Sequence, residues 1–161
     1  MSKEQVISII FNSIPDVRIR VINDSDSKET KQDKIKYPFE LHNTVTVTVI
    51  TSFRIFKFDI YNGYTWNGAD IPKFFYRLIG SRTSNEFLIA SMIHDYMLEF
   101  KTYILNNVLN GQISKNEYRR LTSLIFREKI KSQGTSTIKA NIMSWTVDVF
   151  QIFQVRRWKC Q

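Results

Sequence analysis

Two short segments hold side chains whose types and spacing could do chemistry. The first is Tyr64-Thr-Trp-Asn-Gly-Ala-Asp-Ile-Pro72, read as a strand-to-helix junction that contains Trp66, Asn67, Gly68, Ala69, Asp70, Ile71 and Pro72. A glycine among small polar residues lets backbone approach a ligand closely, and free N–H groups at a helix start attract anions. Asn67 and Asp70 could point into the same small space. The structural alternative is that Asp70 caps a helix with Pro72 in its first turn, Gly68 takes a special φ and Trp66 fills core.

The second segment is Ile93-His-Asp-Tyr-Met-Leu98, inside a predicted helix. His94 is a candidate general base, with Asp95 or Asp70 as its electrostatic helper. Neighbours on a helix diverge by about 100°, so the spacing predicts that His94 and Asp95 do not face one another. His94 shares its face with Phe87, Ala90 and Leu98, which is apolar company for an imidazole. A buried Asp95 must find a donor, because a buried unpaired carboxylate is costly. The junction's N–H groups or an arginine such as Arg77 would serve, so the two segments are expected to touch.

The elements that must position these residues follow from periodicity. Residues 3–14 place Val6, Ile7, Ile10, Phe11 and Ile14 at helical spacing ahead of Pro15, which predicts an N-terminal helix. Val17, Ile19 and Val21 read as a short strand, and residues 23–34 contain no apolar side chain and read as an exposed loop. Residues 44–50 alternate Thr and Val strictly, and Phe53, Ile55, Phe58 and Ile60 alternate with a shift near Phe56-Lys57. This is a β-hairpin with one wet face, one core face and a bulge at the shift.

After Gly63 the pattern turns helical. Asp70-Ile-Pro72 starts a short helix that ends at Gly80. Thr83 and Glu86 form a capping box for a helix carrying Phe87, Ala90, Ile93, Met97 and Leu98 past Lys101. Asn110-Gly111 is a turn, and Ser114 with Glu117 opens another helix, with Tyr118, Leu121, Leu124, Ile125 and Phe126 on its buried side. A last helix from Ile138 to Phe153 carries Ile142, Trp145, Val149 and Phe153. The expected fold is α+β: a small antiparallel sheet in the N-terminal half, packed against a C-terminal cluster of about four helices. The expected organisation is one domain over 1–161: helix, strand and polar loop in 1–34, the hairpin in 35–62, a helical core in 63–154 and a basic tail in 155–161.

The chain has 161 residues, 43% of them apolar and 14% aromatic, which is enough to bury a core and excludes global disorder. A single cysteine, Cys160, excludes an internal disulfide framework. With two histidines and one cysteine, a closed structural zinc site is not expected, and no metal or cofactor is assigned. The first residues carry mixed charge and no apolar run, so no signal peptide is expected, and no stretch approaches the roughly 18 apolar residues of a membrane span. The net charge of +8 is concentrated from Gly111 onward, where Lys and Arg exceed Asp and Glu by seven. Arg119, Arg120, Arg127, Lys129, Lys131, Arg156, Arg157 and Lys159 are therefore candidates for binding an anionic partner such as nucleic acid, although no reading motif accompanies them.

The run YTWNGADIPKFFYRLIG followed by ASMIHDYMLEF resembles the DUF1353 family, small proteins found largely in tailed bacteriophages and prophages. Its members read G-F-x-x-D-G-A-S-I-P, then an aromatic-rich helix, a glycine, and A-x-x-x-H-D-x-L-Y. The likeness covers about Phe39 to Phe153. Here Asn67 stands at the family's Asp, Asp70 at its Ser, Leu98 at its closing Tyr, and Ser123 at an Asp common in the following helix. The chain thus lacks much of the family's acid set. A His-Asp pair on a helix is also similar to secreted phospholipases A2, but their cysteine framework and calcium loop are absent.

The resemblance implies phage origin. The leading expectation is a structural or accessory protein, associated with the tail or connector of a virion after synthesis in the host cytoplasm. Its partners would be other virion proteins, with oligomers allowed. In that reading the junction and the His94–Asp95 doublet form a packing hub. The alternatives are a hydrolase of cell-wall or lipid substrates using His94, Asp95, Asp70 and Asn67, and a nucleic-acid-binding protein.

Overall fold

The computed structural model describes residues 4–68 and 85–158, leaving aside the side chains at 85–86 and 150–158. The fold is α+β, as the periodicity predicts, with strands in the N-terminal half and helices mostly in the C-terminal half. Among the described residues two three-stranded antiparallel sheets stand where one was expected. The larger runs β1-β4-β5, with β1 at Val6–Phe11, β4 at Val45–Thr51 and β5 at Ile55–Ile60. The smaller runs β2-β3-β6, with β2 at Val17–Ile19, β3 at Phe39–Leu41 and β6 at Thr65–Trp66.

The hairpin is present, and Val45, Val47 and Val49 are fully buried while Thr46 and Thr48 face outward. No bulge occurs at Phe56-Lys57: the register runs unbroken from Val45↔Ile60 to Ile50↔Ile55. The apparent shift arises because Phe53 belongs to the hairpin loop, where it is exposed, and the buried set begins at Phe56. The irregularity lies instead on β1, between Val6 and Ser8.

Val6–Phe11 is a strand where a helix was expected over residues 3–14. VISIIF is dense in β-branched side chains, which favour pleated backbone, and β4 offers a pairing edge. The polar 23–34 segment is exposed but not irregular: Lys28–Lys36 is helix α1, with no buried residue. Ser27 caps it by accepting from the Thr30 N–H. With no apolar stripe, α1 is held by charge: Arg20 bonds Asp33 at 2.8 Å, and Lys34 bonds Asp26 at 2.7 Å.

Helix α2 spans Asn85–Glu99 and buries Phe87, Ala90, Ile93 and Met97, as their spacing predicts. The chain kinks at Phe100 into α3, Lys101–Tyr103, and then into a π-helical turn at Ile104–Val108. Asn110 and Gly111 both take positive φ in the predicted turn. Helix α4, Lys115–Ser132, opens with the capping box complete in both directions. Helix α5, Thr137–Trp158, packs along α4.

The buried face of α5 is not the predicted one. Ala140, Met143 and Val147 go inward, whereas Trp145 is 63% exposed and Ile142 39%. Small and flexible side chains let α5 lie close against Phe126 and Ile130 of α4, and the bulky residues are left outside. The main core joins the Val face of the larger sheet to Met92, Ile93, Tyr96, Tyr118, Leu121 and Ile125. A second cluster unites Phe87 and Ala90 with α4 and α5.

Candidate functional site

Phe39 on β3 and Trp66 on β6 are cross-strand partners, with ring centroids 5.8 Å apart. Trp66 is 1% exposed, so its indole N–H needs an internal acceptor. It finds the hydroxyl of Ser91 on α2 at 3.2 Å, and Ser91 in turn donates to the Leu88 carbonyl at 2.9 Å. The junction and the helix therefore touch, as expected, and Trp66–Ser91 makes the tie. Gly68 follows with φ 80°, and a Cβ there would lie 3.2 Å from the Phe39 ring. Glycine thus serves both the left-handed backbone and the close approach of an aromatic ring.

Ala69, Asp70, Ile71, Pro72, Arg77, Gly80 and Thr83 lie outside the described residues, as does the helix start assigned to Asp70. The expectations that Asn67 and Asp70 share one small space and that Arg77 serves Asp95 fall on those residues.

His94 and Asp95 do meet: Nδ1 and Oδ1 are 3.1 Å apart. This corrects the expectation drawn from their 100° divergence. That angle governs the Cβ directions, but neighbouring Cα atoms are only about 3.8 Å apart. Nδ1 and Oδ1 each lie two bonds beyond Cβ and can curl toward one another over the helix surface. An ionised carboxylate only accepts, so against it Nδ1 is the donor in this contact. His94 is 7% exposed, and its ring meets Phe126 edge-on at 5.7 Å. The imidazole thus lies between α2 and α4.

Tyr64 joins the doublet to the junction. It stacks on Trp66 at 5.9 Å and meets Tyr96 edge-on at 5.1 Å. Burial raises its hydroxyl pKa most, and the carboxylates of Asp95 and Glu99 raise it further. Its phenol stays protonated and bonds Glu99. Tyr96, stacked on Phe58, is pushed up to about 12 by burial first and then by surrounding tyrosines and acids. Ser123, where the family's Asp would stand, is buried and bonds the Arg119 carbonyl at 3.2 Å and Asp148 at 3.3 Å.

Four of the eight basic candidates are engaged within the fold. Arg119 pairs with Asp148, and Arg127 and Lys131 both pair with Glu128. Lys129 sits 4.9 Å over the Phe11 ring, and burial lowers its pKa. Arg120 is exposed; the side chains of Arg156 and Arg157, and all of Lys159, are outside the described set. Among the described residues no cluster of three or more His, Cys, Asp or Glu gathers, and no helix is long and apolar enough to cross a membrane.

Ser91 and Tyr64 were not singled out by sequence reasoning. The buried Trp66 was the available signal for Ser91, since an enclosed indole demands an acceptor. Tyr64 sits at the start of the first motif without a polar pattern to mark it.

The class is an α+β protein in which the strand leading into the glycine junction is tied, through Trp66 and Ser91, to the helix that carries the histidine–aspartate doublet. A family model described as "Protein of unknown function (DUF1353)" matches residues 41–147, and the chain belongs to that family. No curated protein and no solved structure matches the chain.

Proposed function

We propose that this chain is an accessory protein of a bacteriophage particle, associated with the tail or connector and acting through contacts with other virion proteins. The observation that carries the reading is the enclosure of His94. Its ring is 7% exposed, bonded to Asp95 and packed on Phe126. That is the setting of a residue that organises packing between α2 and α4. A hydrolase would need the same imidazole facing substrate across an open cleft.

Two further features support association. The outward face of the larger sheet carries Ile10 at 50% exposure and Ile55 at 66%, apolar area suited to a partner. The family resemblance supplies the phage context. The test is mass spectrometry of purified particles. The expected result is this chain at defined stoichiometry with tail or connector components; its absence from particles that package and infect normally would overturn the reading.

A further inference from the structure

Five aromatic side chains gather at the edge of the larger sheet. Tyr61-Asn62-Gly63-Tyr64 is the turn after β5, closed by the Tyr64 N–H on the Tyr61 carbonyl at 3.1 Å. Gly63, at φ 86°, donates to the Leu41 carbonyl at 2.7 Å and anchors that turn to β3. From the helical side come Tyr96, Phe100 and Tyr103, spaced i, i+4, i+7 along one stripe.

These residues line one open groove of about 410 Å³. Tyr61 is 61% exposed, Tyr103 50% and Phe100 39%. Scattered apolar side chains on a surface are ordinary, but three exposed rings around one concavity, over a floor made by Tyr64 and the buried Tyr96, are a ligand-facing arrangement. The floor is fixed in advance, with Tyr96 and Phe100 centroids 4.5 Å apart and Tyr64 edge-on to Tyr96.

The charge around the groove runs against that of the chain. The net charge is +8, yet among the described lining residues there is no Lys or Arg. Two carboxylates act on the lining rings: Glu99 accepts from Tyr64 and also acts on Tyr96, and Asp59, held by the Thr46 hydroxyl at 2.7 Å, acts on Tyr96. Lys101, next to Phe100, lies near Lys115. Ring faces carry negative potential, so the rings and the acids attract the same ligand.

We propose that this groove binds an organic cation of the quaternary ammonium type, with its alkyl groups on the tyrosine and phenylalanine faces and its charge toward Glu99. A bare ammonium or metal ion would have to shed tight hydration to enter, which a methylated nitrogen need not do. A neutral sugar would leave the acids unused. The inference is independent of the virion reading and survives its failure.

The experiment titrates the full chain with choline and, separately, with neohexanol, in which carbon replaces the nitrogen. Tyrosine resonances report binding. Choline is expected to bind about threefold to tenfold more tightly than the neutral isostere, the size of a partly desolvated cation–π contact. Tyr61→Leu should erase that preference and Tyr61→Phe keep it. Glu99→Gln should weaken choline several-fold and leave neohexanol unchanged. Both positions are exposed, and unchanged thermal melts verify the fold of each variant. Equal or tighter binding of neohexanol would overturn the proposal and leave a plain apolar groove. So would saturable binding of methyl glucoside in place of choline, or the absence of saturable shifts with choline.

Discussion

The indole N–H of Trp66 donates to the hydroxyl of Ser91 at 3.2 Å, and this buried bond ties the short strand β6 to helix α2. Replacing Ser91 by alanine removes the acceptor and leaves an enclosed N–H unpaired. The expected loss is about 1–3 kcal/mol, the desolvation penalty of one buried donor. Urea unfolding should show a lower midpoint at unchanged slope. A midpoint equal to that of the parent would mean that the bond does not stabilise the junction.

Gly68 and Gly63 offer a matched comparison. Both have positive φ, but only at Gly68 would a Cβ meet a neighbour, the Phe39 ring at 3.2 Å. Gly63→Ala should cost about 1–2 kcal/mol for the left-handed backbone alone. Gly68→Ala should cost more than that, since Phe39 is 4% exposed and held by Trp66. Equal thermal shifts for the two variants would show that Phe39 yields freely.

The His94–Asp95 contact is expected to contribute to stability as a pair. His94→Gln and Asp95→Asn should each lower stability by about 1–3 kcal/mol, with a coupling of about 0.5–3 kcal/mol in a double-mutant cycle. Zero coupling would separate the two residues and remove the hub.

Tyr96 titrates at about 12 in the folded chain against 10.0 for an ordinary tyrosine, and Tyr64 and Tyr118 are raised as well. Below pH 10 both states bind these protons and nothing is gained or lost. Between about 10 and 12 the unfolded chain releases protons that the native chain retains, so stability falls as pH rises through that window. Ionisation of Tyr64, Tyr96 and Tyr118, followed by tyrosinate absorbance, should therefore coincide with loss of helical circular dichroism. Their ionisation near pH 10 on an intact fold would contradict this linkage.

Much of the hairpin and of α2 and α4 was legible because their signals are local. Strict Thr/Val alternation and the Ser114–Glu117 box state strand and helix without reference to the rest of the chain. The misreadings occurred where tertiary context decides. Val6 to Phe11 fits a helical stripe, yet its β-branched density and the free edge of β4 make it a strand. Residues 28–36 lack any apolar face, and their helix depends on cross-element ion pairs such as Arg20–Asp33. On α5 the large residues suggested the buried face, whereas close packing on α4 selected Ala140 and Met143. At the site, contact between the two motifs was readable from the need of a buried Asp95 for a donor, although the contacts that join them are Trp66–Ser91 and Tyr64–Tyr96. The His94–Asp95 bond was not, because Cβ direction alone does not fix where two short polar arms end.

The pairing of β1 with β4 has a consequence for biosynthesis. Val6 finds its partner at Thr51, and the same strand then packs under α4. While the ribosome makes the intervening stretch, a segment rich in isoleucine has no mate. Its backbone amides and greasy side chains are available to other nascent chains for as long as translation takes to deliver the hairpin. Slowing elongation before that point should raise the yield of insoluble product, and a holdase chaperone should suppress it.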